Sequence, residues 1–484
     1  MDSEIIMSLF RPIHHSKCAA RLIPTAAGIA VLLAVLAFSP IPGLGQPALE
    51  TLIYRFGNPP DGSSPNAGLV IGPDRALYGT TSSGGTTTNN GTVFKINVDG
   101  SGYTVLHNFT NTPDGTIPLA ALLFGTDGRL YGTASAGGAD GLGIIFKSQL
   151  NGSSYEVLHD FNNIPDGAFP FAGLMQATNG ALYGTAHLGG TNGQGTIFTI
   201  QTNGNGFQVL YSFTSSPDGA TPQDPLIQGN DGALYGTTYS GGLGNRGTIF
   251  KIQLDGSGYQ VLRNFTNSSE GSGPRGALLQ TSDGALYGAT QVGGAANIGV
   301  VFKMNPDGGG YTVLHNFNSG LDGSRPFGGL IQGLDNLLYG ATGFGGTNSA
   351  GCIYRMQLGG SGYEVIHHFG GANDGGRPSG NLTRGASLGD SGVLYGTTII
   401  GGFGTVFAVA VNPQLTITPV VTQTGTNGPV VLWPTFAYNY VLQTTTNLNS
   451  GPWVTVTNGV PVTGLQLTNL PNPSGSYFRL VWPQ

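Results

Sequence analysis

Residues 231–238 read Asp-Gly-Ala-Leu-Tyr-Gly-Thr-Thr, and the Leu-Tyr-Gly at the centre of this stretch decides the fold because it recurs seven times. Successive copies are 52 to 56 residues apart. A repeat of this length is typical of architectures in which one supersecondary unit buries its apolar faces only by stacking on its neighbours. The repeated tyrosines are Tyr78, Tyr131, Tyr183, Tyr235, Tyr287, Tyr339 and Tyr395.

Each repeat contains four short runs of β-branched, aromatic and aliphatic residues. In the repeat around Tyr235 these runs cover 225–228, 233–238, 247–252 and 259–265. The segments between them contain glycine with asparagine or aspartate, which supply the positive φ angles of tight hairpins. The pattern therefore predicts an antiparallel sheet of four strands per repeat, in an all-β protein.

The two ends of the repeat region decide between a closed ring and an open stack. A lone copy of the fourth strand, Thr-Leu-Ile-Tyr-Arg-Phe, stands at 51–56, before the first repeat, and the last repeat stops after its third strand at 404–411. A first segment that supplies the missing strand of the last sheet closes a ring. We predict a seven-bladed β-propeller over 46–412. An open solenoid would need polar capping units, and the sequence contains none.

The N-terminal residues 1–45 resemble an export signal. Arg11, Lys17 and Arg21 precede an apolar run over 26–38, which small residues follow up to Gly45. That run is short for a membrane span. We expect cleavage near Gly45, an exported protein, extracellular, on the cell surface or periplasmic, and no span in the mature chain; an uncleaved anchor is the alternative.

Residues 413–484 differ in composition from the repeats. They contain no Asp, Glu or Lys, and they carry all three tryptophans of the chain, Trp433, Trp453 and Trp482. Alternating apolar runs predict a small β-sandwich of the immunoglobulin or fibronectin type III kind. Its tryptophans are interpreted as core, with a sugar-stacking surface as the alternative.

Charge and cysteine content exclude several classes of protein. Only 9% of residues are charged and the net charge is −6, so the basic surface that nucleic acids require is missing. Once the leader is removed, Cys352 is the only cysteine, and no disulfide forms within the chain. We expect a monomer without a cofactor or a metal site.

The segments that connect one repeat to the next carry an acid in an Asp-Gly-x-x-Pro motif, and we expect them to share one face with the Gly-Gly loops. A ring of such acids would attract cations or bind sugar hydroxyls, whereas Asx-turns that stiffen the connector are the structural alternative. One carboxylate per separated loop does not make a calcium site. The acids considered as ligand-binding candidates are Asp114, Asp166, Asp218 and Asp322.

Departures from the repeat indicate a binding surface better than the repeat itself. The Gly-Gly loops differ most in side-chain chemistry, and we predict a polar and aromatic surface there, with variable solvated loop tips as the alternative. No catalytic residue is predicted. The loop candidates are His187, Tyr239, Arg246 and Phe344.

The repeat resembles the GloVer tandem repeats of secreted bacterial proteins. The resemblance rests on Leu-Tyr-Gly-Thr-Thr, Gly-Gly, Gly-Thr-Val-Phe-Lys-Ile and Pro-Asp-Gly. It implies a bacterial protein, export and surface association, and it implies no activity. We therefore expect a non-catalytic binding or display scaffold for a glycan, peptide or protein. The alternative is a carbohydrate-active or oxidoreductase enzyme with its site at the channel mouth.

Overall fold

The computed structural model describes residues 49–411, apart from 58, 87–88, 319, 371–373 and 386–391, together with short strands nearer the two ends of the chain. The chain divides into two compact units. The larger consists of Gly45–Ser387 and Ser391–Asn412. This unit is a propeller of seven antiparallel blades, as the sequence predicts.

The second strand of each blade carries the Leu-Tyr-Gly motif and is buried along most of its length. The hydroxyl of Tyr235 donates to Asp231 Oδ2 at 2.8 Å in the turn before it. The motif glycine lies opposite an aromatic ring of the third strand: a Cβ on Gly184 would lie 2.5 Å from Phe198 Cζ. The glycine therefore makes room for a ring rather than for the backbone of an adjacent strand. The second strands are Leu77–Thr81, Leu130–Ala134, Leu182–Ala186, Leu234–Thr238, Leu286–Val292, Leu338–Phe344 and Val393–Ile400.

The third strand supplies the apolar side chains that fill the space between blades. Ile197 packs with Tyr183 of its own blade and with Leu226 and Phe250 of the next blade, all almost fully buried. Each sheet thus buries both faces. The third strands are Thr92–Ile96, Ile144–Ser148, Thr196–Ile200, Thr248–Ile252, Val300–Met304, Cys352–Met356 and Thr405–Ala410.

The first strand is the innermost. Its glycines approach the first strand of the neighbouring blade: a Cβ on Gly173 would lie 3.0 Å from the Ala121 carbonyl oxygen. In blades 6 and 7 it is split into two pieces. The first strands are Val70–Ile71, Leu123–Phe124, Met175–Gln176, Ile227–Gln228, Ser272–Gln280, Ser324–Pro326 with Ile331–Gln332, and Gly376–Pro378 with Thr383–Arg384.

The fourth strand is outermost and the most exposed. In blades 1 to 6 it pairs with the third strand through a β-bulge. Two 3₁₀ turns, Ser268–Glu270 and Gly320–Asp322, lie in the connectors that lead into blades 5 and 6. The fourth strands of blades 1 to 6 are Thr104–Asn108, Glu156–Asp160, Gln208–Ser212, Gln260–Asn264, Thr312–Asn316 and Glu364–His368.

The ring closes by the predicted exchange of a strand between the two ends of the repeat region. Leu49–Arg55 pairs antiparallel with Thr405–Ala410 as the outermost strand of blade 7. Blade 7 then joins blade 1 by the contact that links other blades: Thr397 Oγ1 donates to the Ala67 carbonyl at 2.7 Å, as Thr133 Oγ1 does to Ala172 at 3.0 Å. The predicted closure is confirmed.

Outside the propeller the structure describes only short strands. Val441–Thr445 pairs with Val454–Thr455 and Tyr477–Val481, and Ala20–Arg21 also pairs with the latter. Val430–Val431 pairs with Thr468–Asn469, as a separate ladder. The rest of the predicted β-sandwich over 413–484 and of the predicted leader over 1–45 lies outside the described residues.

Candidate functional site

The connectors and the Gly-Gly loops share one face of the propeller, which we call the connector face. The Ala168 amide, in a connector, donates to the Leu188 carbonyl, beside a Gly-Gly loop, at 2.8 Å. The same bond joins Ala220 to Ser240 at 2.8 Å in the next blade. These bonds confirm the predicted common face.

The connector acids are held by the outermost strand of the preceding blade. Asp114 Oδ2 lies 2.9 Å from His107 Nε2, and Asp114 Oδ1 accepts from the Thr110 amide at 2.9 Å. Equivalent contacts join Asp166 to His159, Asp218 to Tyr211 and Asp322 to His315. Each acid therefore bends the start of its connector, which agrees with the structural interpretation of these residues. Their contacts separate them blade by blade, and no contact joins one of these four to another.

The histidine partners are neutral anchors rather than free bases. The His159 ring stacks on Phe207 of the next blade at 3.6 Å between centroids. Burial lowers the pKa of His159, against the opposing effect of Asp166. Tyr211 takes the same position in blade 3 and donates to Asp218 at 2.6 Å. Blade 4 has Arg263 at this position, paired with Glu270 and stacked on Tyr311, so the position takes a flat hydrogen-bonding group, whether imidazole, phenol or guanidinium.

The inner rim of the connector face, which we call the mouth, breaks the sevenfold repetition. It is formed in each blade by the residue after the connector proline and by the residue that follows the last threonine or alanine of the Leu-Tyr-Gly strand. In blades 1 and 2 the second of these positions carries a serine, Ser82 or Ser135. Blades 3 to 5 carry larger polar and aromatic side chains at both positions. These pairs are Phe171 with His187, Gln223 with Tyr239, and Arg275 with Gln291.

These six side chains form three contacting pairs, one within blade 3 and two between blades 4 and 5, and the charge of Arg275 also acts on His187. The rings of Phe171 and His187 stack at 4.5 Å between centroids and 21° between planes. Arg275 Nη1 donates to Gln223 Oε1 of the preceding blade. Tyr239 Oη donates to Gln291 Oε1 at 3.0 Å. Two predicted residues, His187 and Tyr239, are thereby brought into one cluster.

Asp224 adds a buried carboxyl to this cluster. The position holds alanine or glycine in the other six blades, and Asp224 is only 7% exposed. Burial raises the pKa of Asp224, while the charge of Arg275 and the Gly276 amide act in the opposite direction. A buried carboxyl thus lies just before the first strand of blade 4, within the electrostatic influence of a guanidinium from the next blade.

Two polar atoms of the cluster point inward without a protein partner. Within the described part of the chain, His187 Nδ1 and Arg275 Nε are buried and accept or donate no hydrogen bond. Burial lowers the pKa of His187, and the Arg275 charge lowers it further. A neutral imidazole and a fixed cation side by side offer an acceptor and a donor to a ligand or to water.

A metal site does not form from these residues. Over the described ranges, no three His, Cys, Asp or Glu side chains are grouped to hold an ion. The mouth cluster itself offers only His187 and Asp224, and the charge of the cation Arg275 acts on both. The cluster is suited to binding polar organic groups rather than a cation.

The two remaining predicted residues lie outside the mouth cluster. Arg246 is in the Gly-Gly loop of blade 4, and its carbonyl accepts from the Gly273 amide at 2.8 Å. Phe344 lies at the end of its strand in blade 6, beneath the guanidinium of Arg377. As a ligand-binding set, the eight sequence candidates remain predictions.

Five residues at the mouth were not predicted from the sequence: Phe171, Gln223, Asp224, Arg275 and Gln291. The signal was present, because at Asp224, just before the first strand, a charged residue replaces the alanine or glycine of the other blades. Two open depressions lie on the opposite face. The larger measures about 460 Å³ and is lined by Asp127, Arg129 and Gln149, and a second lies between equivalent turns two blades on.

The fold and the repeated interblade contacts define a seven-bladed β-propeller built from tandem repeats. The chain belongs to the Gloeobacter/Verrucomicrobia repeat family, which it matches over residues 44–231 and 217–409. No curated protein matches it.

Several solved structures are similar to the chain. Oligogalacturonate lyase from Vibrio parahaemolyticus is 11% identical, with 82% of this chain and 98% of that chain covered, at a TM-score of 0.51. A gluconolactonase from Xanthomonas campestris is 15% identical over 74% and 99%, with a TM-score of 0.40. TolB from Acinetobacter baumannii is 16% identical over 61% of each chain, with a TM-score of 0.37. At these identities the likeness to the lyase shows the fold alone.

Among the described residues the helices are two 3₁₀ turns of three residues each, and neither is long enough to cross a membrane.

Proposed function

We propose that this protein is an exported, non-catalytic binding propeller that holds a glycan, peptide or protein ligand at the mouth, on the cell surface. The observation that carries the proposal is the concentration of unlike polar side chains in blades 3 to 5. Structural positions of a repeat stay alike from blade to blade, whereas a binding site needs different groups from neighbouring blades.

The chemistry of the mouth favours a glycan among these ligands. Gln223, Tyr239 and Gln291 present amide and phenol groups, and Phe171 and His187 present stacked rings. Amides bind hydroxyls as donor and acceptor, and flat rings pack on the apolar faces of sugars.

The experiment is a binding assay of the exported chain, residues 46–484, on a glycan array and on cell-wall material. The test variant is D224A/R275L, which removes both charges of the pair together and so leaves no lone buried charge. Blade 3 carries Ala172 and blade 2 carries Leu119 at these two positions, so the fold accommodates both replacements. The control is R129A, which removes a charge from a turn on the opposite face.

We expect D224A/R275L to lose at least tenfold in affinity while R129A binds like the parent. Equal binding by the parent and D224A/R275L would contradict a site at the mouth. Binding that survives in 413–484 alone would place the activity in the C-terminal domain instead.

One observation favours the second candidate, a carbohydrate-active enzyme. The mouth holds a buried carboxyl of raised pKa, Asp224, and an imidazole of lowered pKa, His187, and groups of these two kinds serve as general acid and general base. Incubation of the parent and D224N with the bound glycan, followed by mass spectrometry of the products, distinguishes the two. Cleavage by the parent but not by D224N would establish the enzyme.

A further inference from the structure

Two arginines occupy the same strained position in neighbouring blades. Arg325 and Arg377 each precede the connector proline, with φ of 52° and 54°. Their amides donate to carbonyls of the preceding blade, Ile298 at 2.8 Å and Ala350 at 2.6 Å. The equivalent residue of blade 5 is Gly273, for which positive φ carries no penalty. The equivalent residues Ser64, Ile117, Phe169 and Thr221 also have positive φ, so what distinguishes blades 6 and 7 is the long cationic side chain at this position.

Both guanidinium groups lie against one aromatic ring. Arg377 Cζ is 4.5 Å and Arg325 Cζ is 5.7 Å from the centroid of Phe344. The Phe327 ring lies 6.0 Å from that of Phe344, above Gly343, where a Cβ would collide with it. We call Arg325, Phe344 and Arg377 the arginine clasp.

The charges of the clasp are not compensated. Among the described residues, no carboxylate lies within ion-pair distance of Arg325 or Arg377, and Arg377 Nε is buried without a partner. The nearby connector acids are engaged elsewhere: Asp322 lies 3.1 Å from His315, and Asp374 lies 3.4 Å from His367. Two like charges on one ring repel each other, and a bound anion removes that repulsion.

We infer that the arginine clasp binds the carboxylates of an acidic polysaccharide, a polyuronate, on the connector face. Guanidinium forks match planar carboxylates in a bidentate way. A polymer with a charge on every sugar suits two cations that recur from one blade to the next. An acidic peptide carries the same carboxylates, and poly-glutamate tests that alternative in the experiment.

The inference rests on the proposed function only in assigning binding to the connector face. The mouth cluster of blades 3 to 5 and the clasp of blades 6 and 7 share no residue, so their variants are independent.

The experiment is calorimetry of the exported chain, residues 46–484, with alginate as the polyuronate. Dextran, dextran sulfate and poly-glutamate serve as neutral, sulfated and peptide probes. The test variant is R325G/R377G, whose glycines relax the backbone as Gly273 does in blade 5, so that folding is preserved. The matched control is R75G, an exposed arginine with φ of 64° in a turn on the opposite face.

We expect R325G/R377G to bind alginate at least tenfold more weakly than the parent, and R75G to bind like the parent. Binding should weaken as salt rises, because exposed charges are screened. Unchanged alginate binding in R325G/R377G would overturn the inference. So would equal or tighter binding of dextran sulfate or poly-glutamate by the parent, since either would show that charge alone is recognised or that a peptide is preferred.

The two proposals fail in different ways. If D224A/R275L loses glycan binding while R325G/R377G keeps it, the mouth binds and the clasp does not. If only R325G/R377G loses binding, and the ligand lost is alginate, the arginine clasp is a binding site and the mouth is not. If neither changes any affinity, both proposals are wrong.

Discussion

At the scale of single residues, the invariant glycines and prolines of the repeat are explained by contacts between blades. Gly195 precedes the third strand of blade 3 with φ of 102°. A Cβ on this residue would lie 2.6 Å from Pro222 Cδ of the next connector and 2.6 Å from the Ala186 carbonyl oxygen. The glycine and the connector proline are thus two halves of one interblade contact, which recurs between Gly247 and Pro274 at 2.7 Å.

The first prediction concerns this glycine. G195A should lower the free energy of unfolding by about 3 kcal/mol, because a methyl group meets rigid backbone in a left-handed conformation. The control is G193A, with φ of 73° and no atom within 4 Å of the added Cβ. It should cost only about 1 kcal/mol. Urea unfolding followed by circular dichroism measures both, and equal losses would refute the contact.

At the scale of strands and connectors, the histidine anchors couple blade packing to pH. His107, His159, His315 and His367 each join an outermost strand to a connector acid. Burial is the largest influence on the pKa of each and lowers it. A base with a depressed pKa in the folded state contributes stability above its unfolded pKa, about 6.5, and that stability is lost as the pH falls.

The second prediction replaces all four histidines by tyrosine, the residue that stands at this position in Tyr211. Between pH 7 and pH 5 the parent should lose stability, while the fourfold variant should lose less. Glu50, whose pKa burial raises to about 7, titrates in the same range with the opposite sign, but it is common to both proteins. Thermal unfolding across this pH range gives the difference. Parallel curves would show that the histidines do not titrate with folding.

At the scale of the whole molecule, one strand determines whether the propeller is a ring. Leu49–Arg55 gives blade 7 its fourth strand, and the adjoining Phe56 is buried against Phe94 of blade 1 with 5.2 Å between centroids. Without this segment, Thr405–Ala410 becomes a free edge and the joint between the last and first blades loses a buried ring. The loss spreads around the ring, because each blade is held by its two neighbours.

The third prediction follows from this closure. Cys352 in blade 6 is fully buried, and burial raises its pKa to about 12, so in the intact propeller its thiol should resist labelling. A chain that begins at residue 58 should label faster, and a peptide of residues 46–57 added in trans should slow the labelling again.

A thiol reagent followed by mass spectrometry measures this rate. C352T carries the residue that blade 1 has at the equivalent position, Thr92, and measures labelling that does not involve the thiol. A scrambled peptide measures any effect of added peptide that does not depend on its sequence. Equal labelling rates with and without residues 46–57 would show that the strand does not hold the ring closed.

The repeat made most of the fold predictable. Each repeat shows the same turn residues and the same alternation of apolar residues. These local patterns are enough to predict the four strands of each unit, their order and the exchange of the end strand. Strand ends shifted by one or two residues: the run 225–228 shortened to Ile227–Gln228, because Pro225 donates no hydrogen bond.

The candidate site was predictable only in part. His187 and Tyr239 were found because they lie in variable loops, whereas Asp224 lies just before a first strand and Arg275 within one, where a periodic pattern predicts packing. Their pairing joins residues one full repeat apart, and no local preference of either residue specifies the other.

The sequence by itself determined the number of blades, the strands within them and the ring, since these depend on periodicity and on hydrogen bonding between consecutive strands. Only the tertiary structure decided which charges meet: Asp224 with Arg275 at the mouth, and Arg325 with Arg377 on the ring of Phe344. The physical reason is that such contacts depend on the spacing and tilt of neighbouring blades, and the packing of all seven blades around the ring sets this geometry.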